Sequence, residues 1–285
     1  MKTPLLALVA GLLSLRATAV QAQQSDWRAT LTATPPNFLP PLRAVETEYR
    51  FGWERIVAAE GTLKFSTPQP SLRRMDLKGG TTGFVKNLWP MDARGFSIVD
   101  ATTLRPVRVR QAEWLRRGAS LVAQEFTPLD VLRSKGGSIQ ENPAPAFFED
   151  KPIDATQMAV LTHAKAKLVK FPALYDLHSA FLFVRGQPLA QGDAIRLVIF
   201  QDNWPYLATL RVAGREQITV AAGTYPAIKL NLSLQYVNKQ FKLEPHTKFK
   251  RAVGWLSDDA DRLILKIQAD VFVGSVWTEL QHARF

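Results

Sequence analysis

The chain has 285 residues, of which 46% are hydrophobic, so it can bury the core of one all-β domain or of two small domains. It carries 36 lysines and arginines against 25 acids, and the formal net charge of +11 favours either a charged, soluble surface or an anionic partner. The sequence lacks cysteine, which excludes disulfides and anchoring through a lipidated cysteine.

Residues 1–22 are predicted to be a secretory signal peptide. Lys2 precedes an apolar run from Leu5 to Leu15, and Val20-Gln21-Ala22 supplies the small residues of a cleavage site. Ala17-Thr18-Ala19 is a competing site, and a buried N-terminal helix is the alternative interpretation. The apolar run is too short to be a stable membrane span. We therefore expect a periplasmic or secreted bacterial protein with no transmembrane segment after cleavage and no nucleic-acid partner.

Residues 23–44 are rich in proline and predict an extended lead-in, after which the pattern becomes that of strands. Val45 to Trp53 alternates apolar and polar residues, and Val57 to Phe65 follows as an antiparallel partner. We predict that Gly79-Gly80 breaks the next strand and that Thr82 to Trp89 forms a short helix. Further strands are predicted at Phe96–Val99, Val107–Trp114 and Ala119–Phe126.

The middle of the chain, residues 128–190, predicts an irregular and helical insertion. Pro128 to Pro152 is rich in Gly, Ser, Asn and Pro and indicates a surface excursion. Asp154 to Lys170 favours a helix because Asp154 is a good N-cap. Tyr175 to Arg185 also favours a helix, ended by Gly186, although a strand remains an alternative for so short an apolar run.

The last hundred residues show the clearest strand alternation. Ala194 to Phe200 predicts one strand, and Tyr206 to Val220 predicts a hairpin that turns at residues 213–215. Ile228 to Val237 alternates strictly over ten residues. A last pair is predicted at Lys248–Leu256 and Leu263–Val273. Residues 45–285 are therefore expected to form a single, mainly β domain with a few short helices.

Three aspartates, Asp258, Asp259 and Asp261, follow Trp255 and resemble a chemical site more than any other stretch does. A calcium loop would need regularly spaced acids and a later glutamate, which Leu263 and its neighbours do not provide. Aspartates commonly hold turns by accepting from backbone amides. We predict a hairpin tip with solvent-facing acids, and Trp255 directed at the core together with Val253. A ligand contact and an acid/base pair are the alternatives.

No catalytic, cofactor-binding or metal-ligating residue is predicted. The four histidines, at 163, 178, 246 and 282, have no zinc-binding spacing, and the sequence contains no phosphate-binding loop or nucleophile elbow. Arg185 is expected at a helix end, either capping carbonyl groups or paired with Asp176. The residues that we single out for contact with a ligand or partner are Asp176, Arg185, Trp255, Asp258 and Asp259.

Several phrases together resemble the exported bacterial family called domain of unknown function 3108. They are YRFGWERIVAAEGTL, FSIVDATTLRP, YDLHSAFLFVRGQPLAQGD, GREQITVAAGTYPAIKL and WLSDDADRLILKIQADVFVGSVWTEL, and they run from about Tyr49 to Leu280. The matching positions are Tyr49, Asp176, Arg185, Gly186, Gly192, Asp193, Trp255, Ser257, Asp258 and Asp259. The resemblance implies a single curved antiparallel sheet or open half-barrel, similar to the β-spirals of lipoprotein carriers, and brings no catalytic residues.

Two functions are compatible with these features. The first is a non-catalytic envelope protein whose curved sheet holds a hydrophobic or amphipathic ligand, such as a lipid, or a protein partner. The second is a glycan-acting enzyme or carbohydrate-binding module that uses Asp176, Asp258 and Asp259 with tryptophan platforms on a polysaccharide.

Overall fold

A computed structural model describes residues 26–32, 39–137, 142–201, 204–246, 249–271 and 274–285. The described residues from Thr32 to Phe285 belong to one compact unit, and residues 26–31 belong to another. The described residues of the larger unit contain sixteen strands and three α-helices. The strands are β1 Val45–Trp53, β2 Ile56–Gln69, β3 Leu72–Thr81, β4 Met91–Asp100, β5 Pro106–Leu115, β6 Gly118–Phe126, β7 Asp130–Lys135, β8 Lys167–Lys170, β9 Leu174–Tyr175, β10 Ala194–Gln201, β11 Trp204–Val220, β12 Gly223–Val237, β13 Leu243–Pro245, β14 Phe249–Ser257, β15 Ile264–Val271 and β16 Ser275–Arg284. The helices are α1 Gly83–Leu88, α2 Ala155–Thr162 and α3 Leu177–Arg185.

All described strands belong to one sheet, in which β1 lies near the middle. Strands β1 to β8 run outward as an antiparallel meander to one edge, and β16 pairs with the other side of β1. From β16 the order continues through β15, β14, β12, β11 and β10 to β9 at the other edge, with β13 beside β12. Only the β9–β10 pair is parallel among the described pairs. The predicted mainly β class, with one unclosed and largely antiparallel sheet, is confirmed.

Helix α3 occupies the space that this sheet encloses. Its sequence forms a helix because Asp176 caps it, accepting from Ser179 N at 2.9 Å while the Ser179 hydroxyl accepts from Asp176 N at 2.9 Å. Phe183 packs in a core cluster with residues of β10 and β12, and Leu182 packs in a second cluster with Val99 of β4. One helix therefore touches both halves of the sheet, which requires the sheet to curve around it.

The glycines of β3 do not break the strand as predicted. Gly79 and Gly80 lie inside β3 and pair with both β2 and β4. A Cβ atom on Gly79 would lie 2.8 Å from the backbone oxygen of Glu60. The glycine therefore allows two backbones to approach closely, which is a role that the sequence pattern does not distinguish from a strand break.

The hairpin predicted within residues 206–220 is also wrong, because β11 is one continuous strand of 17 residues. At Gly214 the chain makes a β-bulge, with φ +152° and a register shift against β12, instead of a turn. The real hairpin turn lies at residues 221–222, between β11 and β12.

Residues 128–190 are not simply irregular and helical. They contain β7 and the two edge strands β8 and β9, so the predicted surface excursion and the C-terminal half of the predicted helix from Asp154 to Lys170 are corrected there. The sheet pairing that fixes these short strands is long-range and therefore invisible in local periodicity. Helix α2 is confirmed, with Asp154 and Gln157 forming its capping box. The predictions also missed β16, which pairs with β1 and joins the two ends of the domain.

The predicted signal peptide, residues 1–22, lies outside the described residues, as does part of the predicted lead-in. Within the smaller unit, Trp27–Thr30 form one turn of 3-10 helix capped by the Asp26 carboxylate, so this piece is not extended. Within the larger unit, Leu42 is buried in the cluster that contains Leu182 and Val99.

Candidate functional site

The aspartate-rich segment is a hairpin tip between β14 and β15, as predicted. The Asp259 carboxylate accepts from the backbone amides of Asp261 at 3.0 Å and Arg262 at 2.9 Å, and from the Ser257 hydroxyl at 2.8 Å. Arg262 adopts a left-handed conformation, with φ +46°, which this network holds. The turn is thus built from backbone amides that surround one carboxylate.

Part of this tip is buried, which corrects the expectation of solvent-facing acids. Asp258 and Asp259 are exposed, whereas Asp261 is 8% exposed and Arg262 only 3%. The Asp261 carboxylate accepts from Arg43 Nε at 3.0 Å and also from the second guanidinium nitrogen of that arginine. The tip is consequently tied to the segment that precedes β1.

Arg185, the last residue of α3, reaches across to this tip. It is 4% exposed, and its guanidinium donates to the backbone oxygens of Asp261 at 3.0 Å, Ala260, and Pro40 at 3.0 Å. It therefore lies at the helix end, as predicted, but it is buried and donates to carbonyl groups of other segments, where the capping alternative expected exposed contacts at the end of its own helix. It does not pair with Asp176, which lies at the opposite end of the same helix.

Arg262 makes the reciprocal contact. Its guanidinium donates to the carbonyl oxygens of Arg185 at 2.8 Å, Gln187, and Pro188 at 3.1 Å, which follow the end of α3. We call the set Arg43, Arg185, Asp259, Asp261 and Arg262 the arginine clasp. Because each buried arginine satisfies carbonyl groups of the other's segment, the clasp fixes α3 against the β14–β15 hairpin.

The pKa shifts of the buried arginines in the clasp indicate a structural role. Burial lowers the pKa of the Arg185 guanidinium from its ordinary value, and Asp261 opposes this effect. Burial likewise lowers the pKa of Arg262, while Asp258 opposes it. Arg185 and Arg262 remain cations because the ordinary pKa of arginine is so high. All three guanidinium nitrogens of Arg185 and both terminal nitrogens of Arg262 donate to protein carbonyls, so the clasp holds chain segments together, and a ligand would have to displace those contacts.

The N-terminal end of α3 faces a cavity of about 100 Å³. Its lining includes Arg110, Gln124, Asp176 and His178, all nearly buried, with Leu177 at the exposed lip. Pockets for small ligands usually measure roughly 300–1,000 Å³. The cavity therefore has room for a few waters but not for an acyl chain.

His178 on α3 is the buried titratable group of this cavity. Its Nδ1 lies 3.3 Å from the Ser97 hydroxyl, and its ring packs 5.7 Å from that of Phe65. Burial lowers the pKa of His178 to about 4, against an opposing effect of the Asp176 carboxylate. The imidazole is therefore neutral in the folded protein at neutral pH.

Acidification is expected to destabilise the protein through His178. The pKa of His178 is about 4 when folded and about 6.5 when unfolded, so the unfolded state binds the proton first. The contribution of neutral His178 to the free energy of unfolding is fully present above pH ~6.5. It should fall by about 3 kcal/mol as the pH drops towards ~4. When urea unfolding is measured across this pH range, the free energy of unfolding should decline less steeply with falling pH for His178→Gln than for the wild type. Parallel curves for the two proteins would contradict this assignment.

The carboxylates proposed for glycan chemistry are not brought together. Asp176 precedes α3 and the aspartate turn contacts its last residue, so the nine-residue helix separates them by about 13 Å. Catalytic carboxylates of glycosidases lie roughly 5–9.5 Å apart. Asp258 is paired with Arg215 at 2.7 Å, and Asp259 is engaged in the turn. Asp176 therefore does not form a glycosidase pair with the carboxylates of the turn, and both of those carboxylates are engaged in contacts within the protein.

Trp255 is only partly buried, less than predicted, and it packs against the core cluster that contains Leu265 instead of the cluster around α3. Ala252 and Leu256 occupy the buried face of β14, whereas Val253 and Trp255 are partly exposed on the other face. The Trp255 indole nitrogen donates to Glu216 Oε1 at 2.7 Å, and Lys229 Nζ lies 5.5 Å from the ring centroid. The tryptophan is thus covered on one side by the β11–β12 hairpin.

Arg43 and Arg262 were not predicted from the sequence, although both belong to the clasp. Their partners are mostly distant in sequence, so no local motif marks them. The described residues contain no group of three or more histidines and acids placed to hold a metal. No helix in the described part of the chain is long and apolar enough to cross a membrane.

Comparison with protein families supports the resemblance seen in the sequence. The model described as Protein of unknown function (DUF3108) matches residues 155–281, which include α3 and the aspartate turn. The predicted resemblance is confirmed for this part of the chain, and the matching position at Tyr49 lies outside it. No curated protein matches the chain significantly.

Comparison with solved structures shows the fold. A crystal structure titled as a β-barrel-like protein of domain of unknown function DUF1849 from Brucella abortus has a TM-score of 0.53 at 9% identity, and the match covers 85% of this chain and 97% of that one. A structure titled "putative lipoprotein" from Parabacteroides distasonis gives a TM-score of only 0.33 at 9% identity, over 88% of this chain and 100% of that one. The first likeness supports the curved β architecture, and the second is too weak to support an argument.

Proposed function

We propose that this protein is a non-catalytic component of the bacterial cell envelope that binds an envelope constituent through its outer surface. Export is proposed from the signal-like residues 1–22. The constituent belongs to the classes that a basic, exported protein meets, namely lipid, protein or acidic polysaccharide.

The observation that carries this proposal is the filled interior of the curved sheet. Helix α3 packs against both halves of the sheet, and the cavity beside it measures about 100 Å³. An enclosed lipid would need several times this volume. A carrier that holds its ligand in the cavity beside α3 therefore loses support, whereas binding at the outer surface keeps it.

Crosslinking in living cells tests the proposal. The full chain would be expressed in a Gram-negative host with a photo-reactive amino acid at Leu88 or at Leu129, which are 63% and 70% exposed. Recovery of the protein in the periplasmic fraction, with an N-terminus beginning near Gln23, is expected. Crosslinks to an envelope lipid, protein or glycan from at least one position are also expected.

Retention in the cytoplasm would overturn the proposed location. A periplasmic protein that forms no adduct at either position, and whose native mass spectrum shows no bound component, would overturn the binding function. The enzymatic alternative is tested by incubating the protein with a panel of polysaccharides. Depolymerisation by the wild type that is lost in Asp259→Asn would support a glycan-acting enzyme.

A further inference from the structure

One end of the sheet carries large exposed apolar side chains. The residues are Trp53, Ile56, Phe84, Leu88, Trp89 and Leu115, with exposed fractions between 39% and 69%. We call this set the apolar rim. Phe84, Leu88 and Trp89 are each more than 60% exposed, and they cluster on α1 and the residue that follows it.

Sheet topology explains why these residues gather. In an antiparallel meander β1, β3 and β5 run in the same direction, so the connections that follow them lie at one end. The connections are the β1–β2 turn, α1 and the β5–β6 turn. The β6–β7 turn, which contains Leu129, lies at the opposite end.

Hydrogen bonds join these connections into one surface. Thr82 N, just before α1, donates to Ala58 O in β2 at 3.0 Å. Arg116 in the β5–β6 turn donates to the Asn87 carbonyl of α1 at 3.1 Å. The β1–β2 turn is also bonded to β16, because Ser275 N donates to the Glu54 carboxylate at 2.6 Å.

The charged residues among these connections are nearly all basic. Arg55, Lys86, Arg116 and Arg117 are exposed there. The exposed acid in the same three connections is Glu54, and its carboxylate already accepts from Ser275 N. The rim therefore combines tryptophan, phenylalanine and leucine with excess positive charge.

We propose that the apolar rim docks this protein onto an anionic membrane surface. Tryptophan and phenylalanine favour the headgroup region of a bilayer, and lysine and arginine are attracted to anionic headgroups. A protein partner is the other occupant that the test distinguishes, because tryptophan, phenylalanine and arginine are also enriched at protein interfaces. The inference rests on the proposed envelope function and names the constituent that is bound.

Vesicle binding tests this inference directly. The full chain exported from a bacterial host would be sedimented with vesicles of phosphatidylglycerol and phosphatidylcholine, and with vesicles of phosphatidylcholine alone. We expect binding to the anionic vesicles that weakens in high salt, because salt screens exposed charges. The variant Phe84→Ser/Leu88→Ser/Trp89→Ser should bind at least ~10-fold more weakly, since three inserted apolar side chains are lost.

A matched control separates the rim from general surface hydrophobicity. Leu129→Ser/Val160→Ser/Leu168→Ser removes three apolar side chains that are 70%, 68% and 53% exposed away from the rim, and it should bind like the wild type. Lys86→Glu should weaken binding to anionic vesicles without lowering the melting temperature.

Equal binding by the two triple variants would overturn the inference, as would wild-type protein that fails to sediment with anionic vesicles. If the wild type does not sediment with anionic vesicles but Leu88 crosslinks to a protein in cells, the proposed function stands. The constituent bound by the rim is then that protein and not the membrane. If the crosslinks are also absent, the proposed function fails with the inference.

Discussion

Arg185→Ala is expected to lower the free energy of unfolding by about 3–5 kcal/mol, which is the usual cost of removing one member of a buried charged network. The arginine is 4% exposed, and its loss leaves the carbonyl groups of Asp261, Ala260 and Pro40 without their donor. Because these groups belong to the hairpin tip and to the segment before β1, one substitution loosens three contacts with α3. Urea unfolding followed by circular dichroism measures the change.

Arg215→Ala is the matched control for this prediction. Arg215 lies in β11, its side chain is 44% exposed, and it pairs with Asp258 at 2.7 Å. Exposed ion pairs contribute about 0–1 kcal/mol, so this variant should remain close to the wild type. Arg185→Lys should fall between them, because an ammonium group cannot reach three carbonyls in the fork geometry of arginine. Equal, small effects of Arg185→Ala and Arg215→Ala would contradict the structural role of the clasp.

Local features in and near the clasp depend on short-range chemistry. The aspartate turn was predicted from the sequence, whereas the role of Asp176 as N-cap of α3 was not, although this residue precedes an apolar helical pattern. In both cases the side chain bonds backbone amides two or three residues away, and such short-range chemistry leaves a sequence signature. The strict alternation from Ile228 to Val237 predicted a strand for the same reason.

The parts of the clasp that depend on distant pairing could not be read in this way. Arg262 donates to carbonyls 74–77 residues away, and Arg43 pairs with an acid 218 residues away. A charged residue next to an apolar run gives no sign of which distant segment will supply its partner. The burial of Arg262 therefore follows from the return of the chain to β14 and β15 after α3, which only the sheet topology reveals.

Trp255 shows a second limit of sequence patterns. Period-two alternation in β14 separates Val253 and Trp255 from Ala252 and Leu256, but it does not say which set faces the core. Aromatic size favoured the set that is less buried. The structure buries Leu256 in the cluster around α3 and Ala252 on the same face of β14, and it leaves Trp255 partly exposed against the cluster that contains Leu265, beneath the β11–β12 hairpin.

This difference in burial reverses the expected order of two aromatic truncations. Phe183 on α3 is 1% exposed, and its ring lies 5.1 Å from that of Tyr175 within the main core cluster. Phe183→Ala should therefore cost about 3–5 kcal/mol of unfolding free energy through lost burial and a residual cavity.

Trp255→Ala should cost clearly less, about 1–2 kcal/mol, although tryptophan is the larger side chain. It removes a hydrogen bond to Glu216, a contact with Lys229 and partial packing against the cluster that contains Leu265. Chemical unfolding of both variants in the same buffer gives the comparison. A larger loss for Trp255→Ala than for Phe183→Ala would mean that the hairpin cover over β14 contributes more to stability than the helix that fills the sheet.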